Sequence, residues 1–169
     1  MIKQSGATLP IALILLFVTT LLAVSTIQTT QMQEKMSANL QDKEISFMAA
    51  ESALAAGEAW LIGLATLPTP APSCQSFPCV MDRIDNSDFA NASDTWWQAN
   101  SAAYSTSLSN VYTAPRYLIE FIQFVPDSPV IGQSSGQIPG VYYYQVTAKG
   151  TGSTNEAETV LQTTVARRF

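Results

Sequence analysis

Histidine is absent from this chain of 169 residues, and cysteine occurs only twice. Because a structural zinc site takes four ligands, mostly Cys and His, the two cysteines would need two further ligands, and no histidine is present to supply them. Basic residues are also scarce, and the only adjacent pair is Arg167 and Arg168. Since binding to phosphates needs a basic surface and the formal charge is −5, we expect no nucleic-acid partner.

The sequence also lacks the residue patterns of a catalytic site. No Ser or Cys nucleophile motif with a base at hand is present, and the absence of histidine removes the commonest general base. Asp85 and Asp88 are paired carboxylates that could in principle transfer protons, but nothing marks a pocket around them. We therefore expect that the protein is not an enzyme.

Charge is missing from a long stretch near the N-terminus, Ala7 to Ile27. A helix of about 20 apolar residues spans the hydrocarbon core of a bilayer, which is about 30 Å thick. Pro10 suits the first turn, where its missing N–H costs nothing, so the helix is predicted to begin near Thr8. Because Lys3 is the only charge before this run, the N-terminus is predicted to lie in the cytoplasm and the rest outside.

The same helix is predicted to continue to about residue 64, because no proline interrupts it before the proline-rich TLPTPAPSC. Its first half is apolar all round, and its second half is amphipathic. The stretch FMAAESALAAGEAWL is dense in small residues, so another layer of the fold could approach this backbone closely. Apolar residues at helical spacing predict a buried stripe: Met36, Leu40, Phe47, Ala50, Leu54 and Leu61.

Cys74 and Cys79 lie close together in PSCQSFPCV. In an exported chain such a pair predicts a disulfide, and two reduced cysteines in a loop are the alternative. The bond would act as a local clip, because short loops gain least from closure. We expect its loss to cost only a modest part of the stability.

Residues 65–115 form the least regular part of the chain. Within it, Asp94 to Asn100 is predicted to form a short helix capped by Ser93. The adjacent Trp96 and Trp97 should place at least one indole ring in the interior.

The same region contains one acidic cluster. Its oxygen ligands could hold a calcium ion, but the sequence DNSD lacks the alternating ligands and central glycine of the usual calcium loop. We favour a solvated acidic loop with capping aspartates, expect no cofactor, and keep calcium binding as the alternative. The candidate ligands are Asp82, Asp85, Asp88 and Asp94.

The last third, residues 116–169, is rich in β-branched and aromatic residues. RYLIEFIQFV, VYYYQVTAKG and AETVLQTTVARRF are predicted strands, and GTGSTNE is a hairpin loop between the last two. In the first strand, one face of the sheet should carry the even-numbered residues from Arg116 to Phe124. The other face should carry the odd-numbered residues from Tyr117 to Val125. Consecutive strands joined in this way form an antiparallel meander. The meander should cover the amphipathic half of the helix, so the predicted fold class is α+β.

This combination of a long helix and a C-terminal meander resembles the type IV pilins, and more closely the PilX-type minor pilins. The resemblance lies in KQSGATLPIALILLFVTTLLAVS, in TTQMQEKMSANLQDKEISFMAAESALAAGEAWL, and in PRYLIEFI with YYYQVTAKGTGSTNEAETVLQTTVARRF. It implies a type IV pilin-like fold with three parts. These are a leader at 1–6, a membrane or filament-core helix at 7–27 and a periplasmic domain at 28–169.

The resemblance also implies how the chain is processed and where it goes. A prepilin peptidase would cut after Gly6, and the new N-terminal residue, Ala7, is usually N-methylated in this family. The helix would anchor the subunit in the inner membrane with its domain in the periplasm. It would later pack against other minor pilins and the major pilin in the pilus at the cell surface.

One departure from the pilin pattern concerns the position in the filament. Most pilins carry a glutamate at the fifth residue of the mature chain, which is thought to neutralise a neighbour's N-terminal amine; Ile11 stands there in this sequence. This absence resembles the tip pseudopilin of type II secretion, so we expect a place in the priming complex at the tip.

Two other interpretations stay open. The exposed middle region could bind a host surface, which would make the protein an adhesin as well as an assembly factor. The apolar run could instead be a secretory signal, with Ala23 and Ser25 as small residues before cleavage. The product would then be a soluble periplasmic binding protein.

Overall fold

The computed structural model describes residues 8–84, 88–127 and 139–169. It confirms the predicted α+β class, with a long N-terminal helix and a mostly antiparallel C-terminal sheet. The chain divides into two compact units after Gln41. The elements are α1 (Thr8–Gly63), β1 (Val80–Asp82), α2 (Asp94–Asn100), β2 (Ala102–Ala103), β3 (Arg116–Pro126), β4 (Gly140–Thr151) and β5 (Glu158–Arg167).

In the first unit, the part of α1 up to Gln41 satisfies its hydroxyl groups within the helix. Thr19 donates to the carbonyl oxygen of Leu16 at 2.9 Å, and Thr20 to that of Phe17 at 2.8 Å. Thr26, Thr29 and Thr30 bond to carbonyls three or four residues earlier in the same way. These hydroxyls therefore need no water, which suits a helix in apolar surroundings.

In the second unit, the predicted meander of β3, β4 and β5 is confirmed as a run of antiparallel neighbours. Two short strands that the sequence did not predict extend it beside β3: β1 pairs in parallel and β2 antiparallel. These strands have three and two residues. Such lengths are too short to show an alternating pattern, so only pairing with β3 defines them.

The residues of α1 that pack on the sheet are mostly small. Gly57 shows how close the approach is, because a Cβ added there would lie 2.7 Å from Val146 Cγ1 and 2.8 Å from Tyr117 Cδ2. The dense small residues thus allow the close approach that the sequence predicted. The buried residues of α1 are Ser46, Ala49, Ala50, Ala53, Gly57 and Leu61.

The predicted apolar stripe on α1 is wrong in part. Ala50 and Leu61 are buried, but Met36, Leu40 and Phe47 expose 60%, 69% and 47% of their surface. Met36 and Leu40 precede the part of α1 that packs on the sheet, whose first buried residue is Ser46. Phe47 lies within that part, but the buried face follows the small residues because these let the helix backbone come nearest to the sheet.

Side chains cover both faces of the sheet around β3. On the face towards α1, Tyr117 and Ile119 belong to the same cluster as Ala53 and Leu61. On the opposite face, Leu118 packs with Trp97 of α2 and with Phe89. Trp97 is 1% exposed and Trp96 is half-buried, so the expectation of an inward-facing tryptophan is confirmed.

The predicted alternation of faces along β3 is wrong beyond Phe121. The pairing with β4 shifts between Phe121 and Gln123, so one extra residue interrupts the ladder. As a result Phe124 pairs with Tyr142, and their ring centroids lie 4.6 Å apart. Phe121 also packs against Tyr142, at 6.3 Å. A β-bulge explains the shift, because one inserted residue moves the side chains of all following residues to the opposite face of the sheet.

Candidate functional site

The first unit presents a continuous apolar surface along α1. From Leu9 to Ile27 the large apolar side chains expose between 46% and 72% of their surface. The helix contains an 18-residue window with a mean hydropathy of 2.4, none of it buried. By length and composition it is the one helix in the described part of the chain that could cross a membrane. An apolar surface of this extent calls for lipid or protein around it.

The predicted processing site immediately precedes this helix in the sequence. Gly6 and Ala7 are outside the described residues, and the described helix begins at Thr8. The cleavage and methylation assignments therefore stay predictions. Ile11, the fifth residue after the predicted cut, is in α1 and exposes 56% of its surface.

Cys74 and Cys79 form a disulfide, with their Cα atoms 6.3 Å apart. The bridge lies in the segment that leads from α1 into β1. Beside it, Ala71 forms an isolated bridge with Met81, and the Ala71 N–H donates to Val80 O at 3.2 Å. The clip is thus local, and it holds the connection where the chain enters the sheet.

The structure places the four candidate calcium ligands in different surroundings. Asp94 lies 2.8 Å from Lys149, while Asp88 accepts a hydrogen bond from the Asn91 side chain at 2.6 Å. Asp82 is exposed on β1, and Asp85 lies outside the described residues. Within 8–84, 88–127 and 139–169, no three His, Cys, Asp or Glu side chains form a group that could hold a metal. Calcium binding remains an untested hypothesis.

The cap of α2 is a serine and not one of the acidic residues. α2 spans Asp94–Asn100, as predicted, and the Ser93 side chain accepts from the Trp96 N–H at 3.2 Å. The pKa of Asp88 is lowered, mainly because the Asn91 side-chain amide donates to its carboxylate. Asp88 therefore bonds to Asn91 within its own exposed loop.

Lys149 on β4 is a buried cation that sequence reasoning missed. It is 7% exposed and lies 2.8 Å from Asp94 and 3.0 Å from Glu158. Burial acts to lower the pKa of Lys149, but the hydrogen bonds to Asp94 and Glu158 outweigh it, so the pKa is raised. The available signal was a lone lysine inside an apolar strand, which must find carboxylate partners to stay charged.

Two further polar contacts hold the sheet to α1. The Asp42 carboxylate accepts from the Ser153 N–H at 2.6 Å, from the Ser153 hydroxyl at 2.7 Å and from Thr154 in the β4–β5 loop. At the other end of this packing surface, the Arg167 guanidinium donates to the carbonyls of Leu61 and Leu64. No local sequence signal marks either contact, because the partners are more than 100 residues apart.

A long helix with an exposed apolar N-terminal part, followed by a small-residue face packed on an antiparallel meander, defines a type IV pilin-like protein. Comparison with family models gives the particular family. Residues 5–55 match the PilX N-terminal model, and residues 64–167 match the model of the type IV pilus assembly protein PilX C-terminal region.

The second match covers more than half of the chain, so the chain belongs to the PilX family of type IV pilus assembly proteins. Comparisons with curated proteins and with solved structures gave no significant match. Membership identifies the chain as a minor pilin that serves as a structural component of pilus assembly. The exposed apolar part of α1 fits both membrane anchoring and association with the pilus.

Proposed function

We propose that this minor pilin is cleaved after Gly6 by prepilin peptidase and joins the priming complex at the tip of the pilus. The observation that carries the tip position is Ile11, which occupies the fifth mature position and is exposed on an uncharged helix surface. A subunit along the shaft would receive the N-terminal amine of a neighbour near this position. A subunit at the tip receives none.

The exposed surface of α1 supports the assembly step. The same side chains that contact lipid tails in the membrane can contact apolar helices of neighbouring subunits in the filament. Because neither environment contains water, the exchange has little hydrophobic cost, and packing between helices decides it. The internally bonded threonine hydroxyls remain satisfied in both environments.

The absence of a carboxylate at position 11 follows from the same physics. An ionised carboxylate among apolar helices is costly unless a cation pairs with it. At the tip no amine would be available, so an apolar residue is the favourable choice. Along the shaft, an apolar residue at position 11 would leave the N-terminal amine of the neighbouring subunit without a counter-charge, so a glutamate would be favoured there.

The substitution Ile11→Glu tests the tip position. Translocon scales put a charged residue at mid-bilayer at about 2.5–3.5 kcal/mol, and less near a helix end. We therefore expect the variant to be inserted and processed but to initiate fewer pili. Ile11→Gln is the matched control. Glutamine has nearly the same shape as glutamate but no charge, so we expect a smaller loss of pili.

The measurements are pili counted per cell and the amount of this subunit in sheared filaments by immunoblot. A lower pilus number with Ile11→Glu, and a smaller effect with Ile11→Gln, would support the tip. Greater incorporation of the Ile11→Glu subunit with an unchanged pilus number would instead place it along the shaft. That result would leave its membership in the pilin class intact.

A further inference from the structure

β5 (Glu158–Arg167) forms one edge of the sheet. It pairs with β4 on one side, and in the described part of the chain no strand pairs with its other side. The pairing with β4 continues from Glu158 to Arg167 without a register shift. The opposite edge is different, because β1 has only three residues and Ala71 lies against Met81 on its outer side. β5 is therefore the longer open edge of the sheet.

Alternate residues of β5 direct their backbone N–H and C=O groups away from β4. The Gly152 N–H donates to Ala157 O at 2.7 Å, so the odd-numbered residues that follow are the ones bonded to β4. The even-numbered residues then present their backbone groups to the outer side. Within 8–84, 88–127 and 139–169, the one hydrogen bond to these groups is from the Lys43 side chain to Glu158 O. The free groups belong to Val160, Gln162, Thr164 and Ala166.

The sequence of this row contains none of the residues that usually protect an edge strand. Natural sheets block an open edge with lysine, proline, a bulge or a covering segment. Between Glu158 and Arg167 the strand reads TVLQTTVA, which has no charge, proline or glycine. A row of free and evenly spaced N–H and C=O groups is complementary to the backbone of an extended polypeptide, which can pair with it as an added strand.

α1 runs alongside β5. At one end the hydroxyl oxygens of Ser46 and Thr159 lie 2.7 Å apart, and at the other end Arg167 donates to Leu61 O. The helix rises about 22 Å between its two contact residues, and the strand rises about 26 Å between its own. Because these lengths are similar, one side of α1 borders β5 along most of the strand.

The side of α1 that borders the open edge carries alternating acidic and apolar residues. Lys43 reaches Glu158 O from this side, and Phe47 follows one turn later on the helix surface. Glu44 and Glu51 are exposed, and Phe47 exposes 47% of its surface. Among the described residues, the glutamates of this side form no ion pair. We call the side the acidic strip; its residues, at spacings of three and four, are Glu44, Phe47, Glu51, Leu54 and Glu58.

We propose that the outer edge of β5 binds an extended segment of another polypeptide as an added strand, with basic and apolar side chains of that segment facing the acidic strip. The free backbone groups of β5 supply the hydrogen bonds, which an extended chain of any sequence can meet. The glutamates supply the preference for basic residues.

A second copy of this chain is a poorer occupant. Its own β5 contains a single basic residue, Arg167, which already donates to the carbonyls at the end of α1. The proposal rests on the sheet edge and the helix beside it, so it is independent of the position of the subunit in the pilus.

The test follows backbone amide exchange by NMR in the full isotope-labelled chain in detergent micelles. The probe is a synthetic peptide of about ten residues, the length of β5. Lysine and valine alternate at its even positions, and serine and threonine occupy its odd positions. The matched peptide has glutamate in place of each lysine.

We expect the lysine peptide to protect alternate amides of β5. At a peptide concentration about ten times its Kd, exchange of the outward amides should slow about tenfold. These are the amides of Val160, Gln162, Thr164 and Ala166. The odd-numbered amides, which are already bonded to β4, should change far less. The glutamate peptide should give no such protection at the same concentration, because the acidic strip repels it.

Thr164→Pro is the variant that removes one outward donor. Proline is tolerated in an edge strand where its missing N–H would face solvent, so the chain should still fold and peptide binding should be lost. Thr164→Ala keeps the N–H and should bind as the unmodified chain does. Glu51→Gln tests the acidic strip without changing the edge. It should weaken binding of the lysine peptide about two- to fivefold, the change that one exposed ion pair produces.

Three results would overturn the proposal. The first is unchanged exchange of the outward amides with the lysine peptide, and the second is equal binding of the glutamate peptide. The third is normal binding to a folded Thr164→Pro chain, which would place the peptide elsewhere on the surface. Protection of the same amides that rises with protein concentration in the absence of peptide would assign the edge to a second copy and would also contradict the proposed occupant.

Discussion

Arg167 of β5 caps the end of α1 by donating to the carbonyls of Leu61 and Leu64. The last turn of α1 contains no basic residue of its own, so a strand far along the chain supplies the cation. The same guanidinium lies 4.5 Å from the ring centroid of Phe169. This contact joins the C-terminus of the chain to the point where the helix ends.

Replacement of Arg167 should destabilise the second unit. In Arg167→Ala the carbonyls of Leu61 and Leu64 lose charged donors, and hydrogen bonds of this kind contribute about 1.5–3 kcal/mol each. Since both carbonyls gain some access to water, we expect a total loss of about 2 kcal/mol in the free energy of unfolding. The measurement is urea unfolding of the full chain in detergent.

Arg168→Ala is the matched control for this loss. Arg168 is 63% exposed and pairs with Asp127 at the surface, and exposed pairs of this kind contribute little to stability because solvent screens them. Equal destabilisation by the two variants would show that Arg167 does not act through the end of α1.

Gly57→Ala and Gly63→Ala should change stability in opposite directions. A Cβ at Gly57 would meet Val146 and Tyr117, which are 0% and 7% exposed and have little room to move. Overpacking of this kind costs about 1–3 kcal/mol. At Gly63, the last residue of α1, nothing lies within 4 Å of the added Cβ, and alanine has the higher helix propensity. Thermal unfolding of both variants tests this, and a stabilised Gly57→Ala would contradict the close packing.

The stability of the second unit should depend on the charge of Asp42. Hydrogen bonds from the side chains of Thr154 and Ser153 lower the pKa of Asp42. Because the folded pKa is the lower one, the stabilisation is complete above the unfolded value of about 3.9. It is lost as the pH falls through the folded value. We expect Asp42→Asn to be less stable near neutral pH and to lose less stability between pH 5 and pH 2.

Glu44→Gln, at an exposed position of the same helix, controls for the loss of one negative charge. Near neutral pH it should lose less stability than Asp42→Asn, because Asp42 holds the β4–β5 loop through Ser153 and Thr154. Identical pH profiles for Asp42→Asn and the unmodified chain would show that this carboxylate does not hold the β4–β5 loop.

The mature chain should begin at Ala7. Intact mass of protein from cells with active prepilin peptidase should correspond to loss of residues 1–6, with one methyl group added. Gly6→Val should accumulate uncleaved, because a branched side chain is unsuited to a site that requires glycine. A mature N-terminus at Thr26 would instead support the secretory-signal interpretation.

The long helix and the class of fold could be predicted from local patterns in the sequence: an uncharged run of bilayer length, an unbroken helical stretch, and three β-branched segments with a hairpin loop. The family came from the resemblance of the N-terminal and C-terminal stretches to PilX-type minor pilins. α2 and its Ser93 cap were also correctly predicted, since capping depends on a side chain three residues from its donor. The departure from the pilin pattern at Ile11 was also evident without any structure, because it concerns the residue type at a single position of the sequence.

Tertiary structure alone decided which face of α1 is buried, how β3 turns at its bulge and which partners the charged residues find. Phe47 has the right spacing for a core, but the close approach of α1 to the sheet buries the small residues near it instead, Ser46, Ala49 and Ala50. The pairing of Lys149 with Asp94 and Glu158 depends on strand register and on where α2 packs. Strand register cannot be predicted from composition and spacing, because it is set by contacts between segments that are far apart in the chain.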